Sequence, residues 1–255
     1  MVKTLRRPAG ARPSPDAMTL FEHLAELRQR LIVCVVSFVA FGIATYFLYN
    51  PILGGLRQPY CEALSSLGHA GHGCEFYINT PLQGFTTRLN VSAYGGLILS
   101  LPVILYELWR FVTPGLKANE RRYALPFTAA SVLLFAGGGA VAYFIYSRAL
   151  QFLIGSSGSH IREIFSPSSY LSLLGALILI FGTAFEFPVV LIALELAGAI
   201  TTSGLRHFRR WAILLVVIFA AVITPSSDPF SMLALAVPLV VFYEGAIVVG
   251  RLLGK

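Results

Sequence analysis

The sequence predicts an all-α, polytopic membrane protein of six transmembrane helices, with both termini cytoplasmic and the last two spans short. Three observations carry that reading. Hydrophobic residues make up 56% of the 255 and charged residues only 12%, about half the roughly 25% charge of an ordinary soluble chain. With a mean hydropathy of +0.74, a soluble domain of this size could not cover its surface, which excludes a soluble enzyme. The apolar residues fall in blocks near the ~20 residues that cross a ~30 Å hydrocarbon core. Finally, lysine and arginine crowd into alternate connections, and cytoplasmic loops carry that excess.

Residues 1–17, rich in Pro and Arg, read as a disordered cationic tail. Arg6-Arg7 looks like the start of an export signal, but Pro8-Ala9-Gly10-Ala11 follows in place of an apolar stretch. Residues 18–251 form the membrane domain and 252–255 a short cytoplasmic tail. Thr19-Leu20-Phe21-Glu22 has the form of a capping box. It predicts a helix from Leu20 that lies on the membrane surface, with Leu20, Phe21, Leu24, Leu27 and Leu31 as its stripe, before turning in.

The predicted spans are 31–49, 89–112, 123–146, 170–197, 211–223 and 229–250. The fourth is interrupted by Glu186 and Pro188, and Pro188 should kink it. Thr224-Pro225-Ser226-Ser227-Asp228-Pro229 separates the fifth from the sixth. Trp211–Ile223 is 13 residues, about 20 Å of helix. Pro229–Tyr243 is 15, about 22 Å. Both fall short of the core, so either the bilayer thins there or neighbouring helices hide the mismatch. An even number of spans puts both termini on one side with 15 of the 19 Lys and Arg. Arg57, Arg88, Arg148 and Arg162 lie opposite. The net charge of +7 thus reads as a topology signal rather than as affinity for nucleic acid.

The first external loop carries Cys61 and Cys74, which can pair in an oxidising compartment; Cys34 lies within the first span. His69 and His72 beside Cys74 suggest a metal cluster, but the spacing matches no zinc pattern. A Gly/His-rich surface loop without metal is the better reading. Neither a Walker loop, HExxH, GxSxG nor CxxC occurs. The chain therefore reads as a binding and conformational device with no cofactor, not an enzyme. Gly137-Gly138-Gly139, inside the third span, suits close helix approach.

Ionisable residues inside apolar spans are candidate sites by default. Glu186 stands near mid-membrane, about 24 Å along its span. Glu107 and Glu195 fall near cytoplasmic helix ends and are expected to be solvated or snorkelling. On a cation-rich face, Glu22, Glu26 and Glu120 are anomalous. They either neutralise neighbours, Glu26 with Arg30 and Glu120 with Arg121 or Arg122, or bind a ligand bearing guanidinium groups.

Several segments in order resemble the TatC family, the multispanning receptor subunit of the twin-arginine protein translocase. They are Glu22–Arg30 (EHLAELRQR), Leu97–Trp109 (LILSLPVILYELW), Phe111–Arg122, Phe181–Pro188 (FGTAFEFP) and Thr224–Pro238 (TPSSDPFSMLALAVP). The resemblance runs from about Thr19 to Arg251. It implies a bacterial inner-membrane receptor for folded precursors whose signal peptides carry paired arginines. Glu26 and Glu120 match the acidic positions that contact the arginine pair, and Glu22, Arg28, Phe111, Pro114, Arg121 and Arg122 fall within the same surface. Glu186 matches an intramembrane acidic position facing the concave side of the bundle. Asp228 and Met232 fall at partner-docking positions, where Met232 replaces a polar amide seen in some members. The implied partners are small single-span subunits of the TatA and TatB type and further copies of the receptor, with the proton gradient as energy source. The reading from another class is a proton-coupled small-solute transporter using Glu186. It would need a midplane site and usually an internal repeat, and the two halves show no similarity.

Overall fold

The computed structural model describes residues 20–66, 76–112, 124–156, 166–225 and 228–252. Among them are nine helices: α1 (Leu20–Phe47), α2 (Tyr49–Leu56), α3 (Gln58–Ser66), α4 (Pro81–Val112), α5 (Ala124–Ser156), α6 (Pro167–Ala184), α7 (Phe187–Ala197), α8 (Thr202–Ile223) and α9 (Pro229–Leu252). By length and composition five segments can cross a membrane: Leu24–Phe47, Pro81–Phe111, Leu125–Ser156, Pro167–Ala197 and Pro229–Leu252. The all-helical, multi-pass architecture follows. The helix α8 is not among the five, since its first turns carry Arg206, His207, Arg209 and Arg210.

The bundle closes on a core between α5 and α6, where Tyr146, Leu150, Leu174, Leu177 and Phe181 are buried. Large apolar side chains such as Leu133, Phe144 and Val222 point outward, as expected where lipid is the solvent. Small residues set the closest approaches. A Cβ on Gly96 would fall 2.7 Å from the Gly42 Cα of α1, and one on Gly138 would fall 2.6 Å from the Phe181 carbonyl oxygen of α6. Such contacts replace the hydrophobic drive that lipid removes.

Several expectations are corrected. Helix α1 runs unbroken from Leu20 to Phe47, so no surface helix turns into the bilayer. Neither Gly nor Pro interrupts it before Gly42, and nothing else there favours a break. The first external loop is not simply a surface loop. Its first part forms α2 and α3, and Tyr60 of α3 is buried, stacked on Phe76 with centroids 5.2 Å apart. Tyrosines tie this cap down: Tyr170 Oη donates to the Leu56 carbonyl (2.8 Å) and Tyr143 Oη to that of Gly55 (2.8 Å). His69, His72 and Cys74 lie outside the described residues. Cys61 is disulfide-bonded and Cys34 is free.

The fourth span is interrupted just ahead of Pro188. It divides into α6 and α7 at Phe185-Glu186, with Pro188 in the first turn of α7, where its missing N–H costs no helical bond. Helices α8 and α9 have 22 and 24 residues, about 33 and 36 Å. The short sixth span is corrected, since all of Pro229–Leu252 is apolar enough to cross; in α8 only the apolar part, Trp211–Ile223, is short.

Glu195 is not solvated: it is fully buried, and Oε1 accepts from Thr202 Oγ1 at 3.0 Å. A Cβ on Gly250 would lie 2.4 Å from that same oxygen, so α9 closes over the carboxyl group. Glu107 is not solvated either, because Arg30 holds it. Both acids lie where α-helices pack, and a position near a helix end says nothing about which neighbour covers it.

Candidate functional site

The first site is an ion cluster between α1 and α4. Arg30 Nε and Nη2 both donate to Glu26 Oε1, Nε at 3.1 Å, while Nη1 donates to Glu107 Oε2 at 2.8 Å. Glu26 and Arg30 stand four apart, the spacing that places side chains on one helical face. Glu107 comes from 77 residues away on a facing turn of α4. The side chains of Arg30 and Glu107 are each 13% exposed and that of Glu26 is 25% exposed, so the more accessible carboxylate is Glu26. Arg28 is exposed, and Phe111 is half-buried one turn beyond Glu107. The side chain of Glu22, and Pro114, Glu120, Arg121 and Arg122, lie outside the described residues.

A second cluster surrounds the α6–α7 break. The Glu186 carboxyl lies beside the Ser131 side chain of α5. Ser131 Oγ also accepts from the Trp109 indole Nε1 of α4 at 2.8 Å, and Trp109 stacks on Phe127 at 5.1 Å. Glu186 Oε1 is buried with no hydrogen-bond partner among the described residues. Three elements thus meet around one serine. A separate, almost wholly apolar cavity of about 600 Å³ lies between α1, α4, α5 and α6, lined by residues such as Tyr94, Leu105, Phe135 and Leu174.

The third candidate is the start of α9. Asp228 is buried, and its Oδ1 accepts from the Ser231 backbone N–H at 2.7 Å, an N-terminal cap. Its Oδ2 and Ser231 Oγ have no partner among the described residues. Met232 is half-buried against the main core. No group of three or more His, Cys, Asp or Glu among the described residues could hold a metal.

The fold and these sites define a multi-pass helical membrane protein whose ionisable groups are gathered where helices meet. Residues 22–238 match the family model of the Sec-independent protein translocase protein, TatC. The chain is 42% identical over 240 residues to the Sec-independent protein translocase protein TatC of Frankia casuarinae, covering 92% of this chain and 66% of that longer protein. It is 35% identical over 239 residues to the TatC of Aquifex aeolicus, covering 92% and 95%. A crystal structure of the twin-arginine translocase receptor TatC in DDM superposes with a TM-score of 0.74 at 33% identity, covering 90% of this chain and 99% of that one. The chain belongs to the TatC family and is a protein-transport component of the Tat pathway.

Among the functional candidates, the structure joins Glu26 to Arg30, as the helical spacing suggested. Glu107 was missed as a member of this cluster, since its only sequence signal was an acid inside an apolar run. Ser131 and Trp109 were missed as neighbours in the Glu186 cluster, because a serine and an indole inside a span carry no charge to mark them.

Proposed function

We propose that this protein is the receptor subunit that binds paired-arginine signal peptides of folded precursors at its cytoplasmic face. Glu26 and Glu120 take the guanidinium groups, and Glu22, Arg28, Phe111, Pro114, Arg121 and Arg122 complete the surface. Carboxylates bind guanidinium with two parallel hydrogen bonds, and Glu26 is a carboxylate that already holds one, that of Arg30. That observation, with the family membership, supports the reading best.

The chain crosses the bacterial inner membrane six times with both termini in the cytoplasm, α8 making the fifth crossing. Small single-span subunits of the TatA and TatB type dock around Glu186, Asp228 and Met232, and further copies of the receptor join the complex. The proton gradient drives transport, and the protein itself catalyses no covalent reaction. Cys61 pairs with Cys74 on the outer side.

The test is binding of a fluorescent twin-arginine peptide to the purified protein in detergent. A twin-lysine peptide should bind about tenfold more weakly, since an ammonium cannot form the paired contact. Glu26→Ala and Glu120→Ala should each remove most of that selectivity. Equal binding of both peptides, untouched by either substitution, would sink the receptor reading.

A further inference from the structure

We infer that Arg30 is an internal stand-in for a signal-peptide arginine, and that Glu107 is the retainer that lets it give way. The inference rests on the receptor reading of Glu26. It starts from one geometric fact: a single guanidinium is bonded to two carboxylates on different helices. Both of its bonds to Glu26 fall on one oxygen, Oε1, whereas its bond to Glu107 uses the remaining nitrogen, Nη1. Arg30 and Glu107 are the more buried partners, and Glu26 is the more open one.

An arriving guanidinium therefore meets the cluster at Glu26, on its accessible side. Were Glu26 the only partner of Arg30, displacement would strand a mostly buried cation, which costs far more than the exchange gains. Glu107 removes that cost. Arg30 already touches it at 2.8 Å, so the side chain need only move its other two nitrogens from α1 toward α4. The exchange trades one guanidinium for another on Glu26 and keeps every charge paired. The same arrangement rejects ligands that bind a carboxylate less well than a guanidinium, because any ligand must outcompete Arg30. Arg30 and Glu107 are thus positioning residues: they set the threshold and the selectivity of a contact that Glu26 makes.

The test uses the full-length protein in detergent with the same twin-arginine and twin-lysine peptides. Arg30→Gln should tighten twin-arginine binding about threefold or more and narrow the gap to the twin-lysine peptide, because the competitor is gone. Glu107→Gln should weaken binding by a similar factor, because Arg30 then has only Glu26. In the double variant the Glu107→Gln penalty should vanish, the non-additivity expected of one shared network. Weaker or unchanged binding by Arg30→Gln, or a Glu107→Gln penalty that persists in the double variant, overturns the inference while leaving the receptor reading intact. Should Arg30→Gln fail to fold, Arg30→Lys and Glu107→Gln decide it. A lysine cannot span both carboxylates with paired bonds, so tighter binding by Arg30→Lys together with weaker binding by Glu107→Gln supports the inference, and any other pair of results overturns it. If wild-type protein does not distinguish the two peptides and Glu26→Ala changes nothing, the receptor reading has failed and the inference with it.

Discussion

Glu195 shows how a membrane bundle accommodates an acid that has no salt bridge among the described residues. Its carboxyl group is fully buried, one oxygen accepts from Thr202, and Oε2 has no partner among the described residues. It also sits in the last turn of α7, where the helix dipole disfavours negative charge. Burial, the dipole and the unpartnered oxygen all argue that hydrogen bonding rather than charge holds this junction together. A neutral isostere should then serve as well. Glu195→Gln is expected to keep or raise the melting temperature in detergent, since the amide oxygen can still accept from Thr202. Thr202→Val leaves the carboxyl group without its donor and should cost about 1–3 kcal/mol. A Glu195→Gln loss as large as that of Thr202→Val would mean that the charge itself is needed. Glu26 differs from Glu195 in every respect that matters for binding: it is partly exposed and already holds a guanidinium.

Helix contacts depend on which side of a small residue faces a neighbour, and α5 offers a direct comparison. Gly137 and Gly138 are adjacent and share the same helical environment. A Cβ on Gly137 would meet nothing within 4 Å, whereas one on Gly138 would strike the α6 backbone at Phe181. Backbone cannot move aside as a side-chain tip can. Gly138→Ala should therefore cost about 1–3 kcal/mol of stability through overpacking, seen as a lower melting temperature. Gly137→Ala should be neutral or slightly stabilising, because Ala is the better helix former. Equal effects at the two positions would sink this account of α5–α6 packing. The glycine run itself was legible in the sequence, but which glycine carries the contact was not, because rotation about the helix axis is set by the partner. The α6–α7 break was legible for a local reason, the missing N–H of Pro188. Helices α2 and α3 were not legible: Pro51, Gly54, Gly55 and Pro59 are loop-forming residues, and the cap exists because Tyr60 and Tyr170 pack together from distant parts of the chain. The signal-binding candidates divide in the same way, the i,i+4 pair Glu26–Arg30 being readable and its third member, Glu107, being visible only after folding.

The topology of the whole chain turns on α8. Among the described residues five segments are apolar enough to cross a membrane on their own account, and an odd number of crossings would leave the termini on opposite sides. Six crossings put them on the same side. Helix α8 has the length to cross, since 22 residues rise about 33 Å against a core of about 30 Å. Its apolar part, Trp211–Ile223, is only 13 residues, so the segment bearing Arg206, Arg209 and Arg210 must lie at the boundary. Arg209 reaches Glu244 of α9 at 2.5 Å, an exposed pair worth little to stability but one that places this end of α8 beside the later part of α9. Helices α8 and α9 follow each other in the chain and pack together, and in the six-crossing proposal they are a hairpin that enters and leaves from one side. Under the six-crossing proposal, the positive residues of α8 and Arg251 of α9 would face one compartment, and the positive-inside rule would make it the cytoplasm. A fluorescent protein fused after Lys255 should therefore be bright and alkaline phosphatase at the same position silent, while phosphatase inserted at the α8–α9 turn should be active. With a fluorescent protein fused ahead of Met1 bright, an active phosphatase at Lys255 and a silent one at the turn would mean an odd count of crossings. It would also remove the short fifth span as a source of membrane thinning.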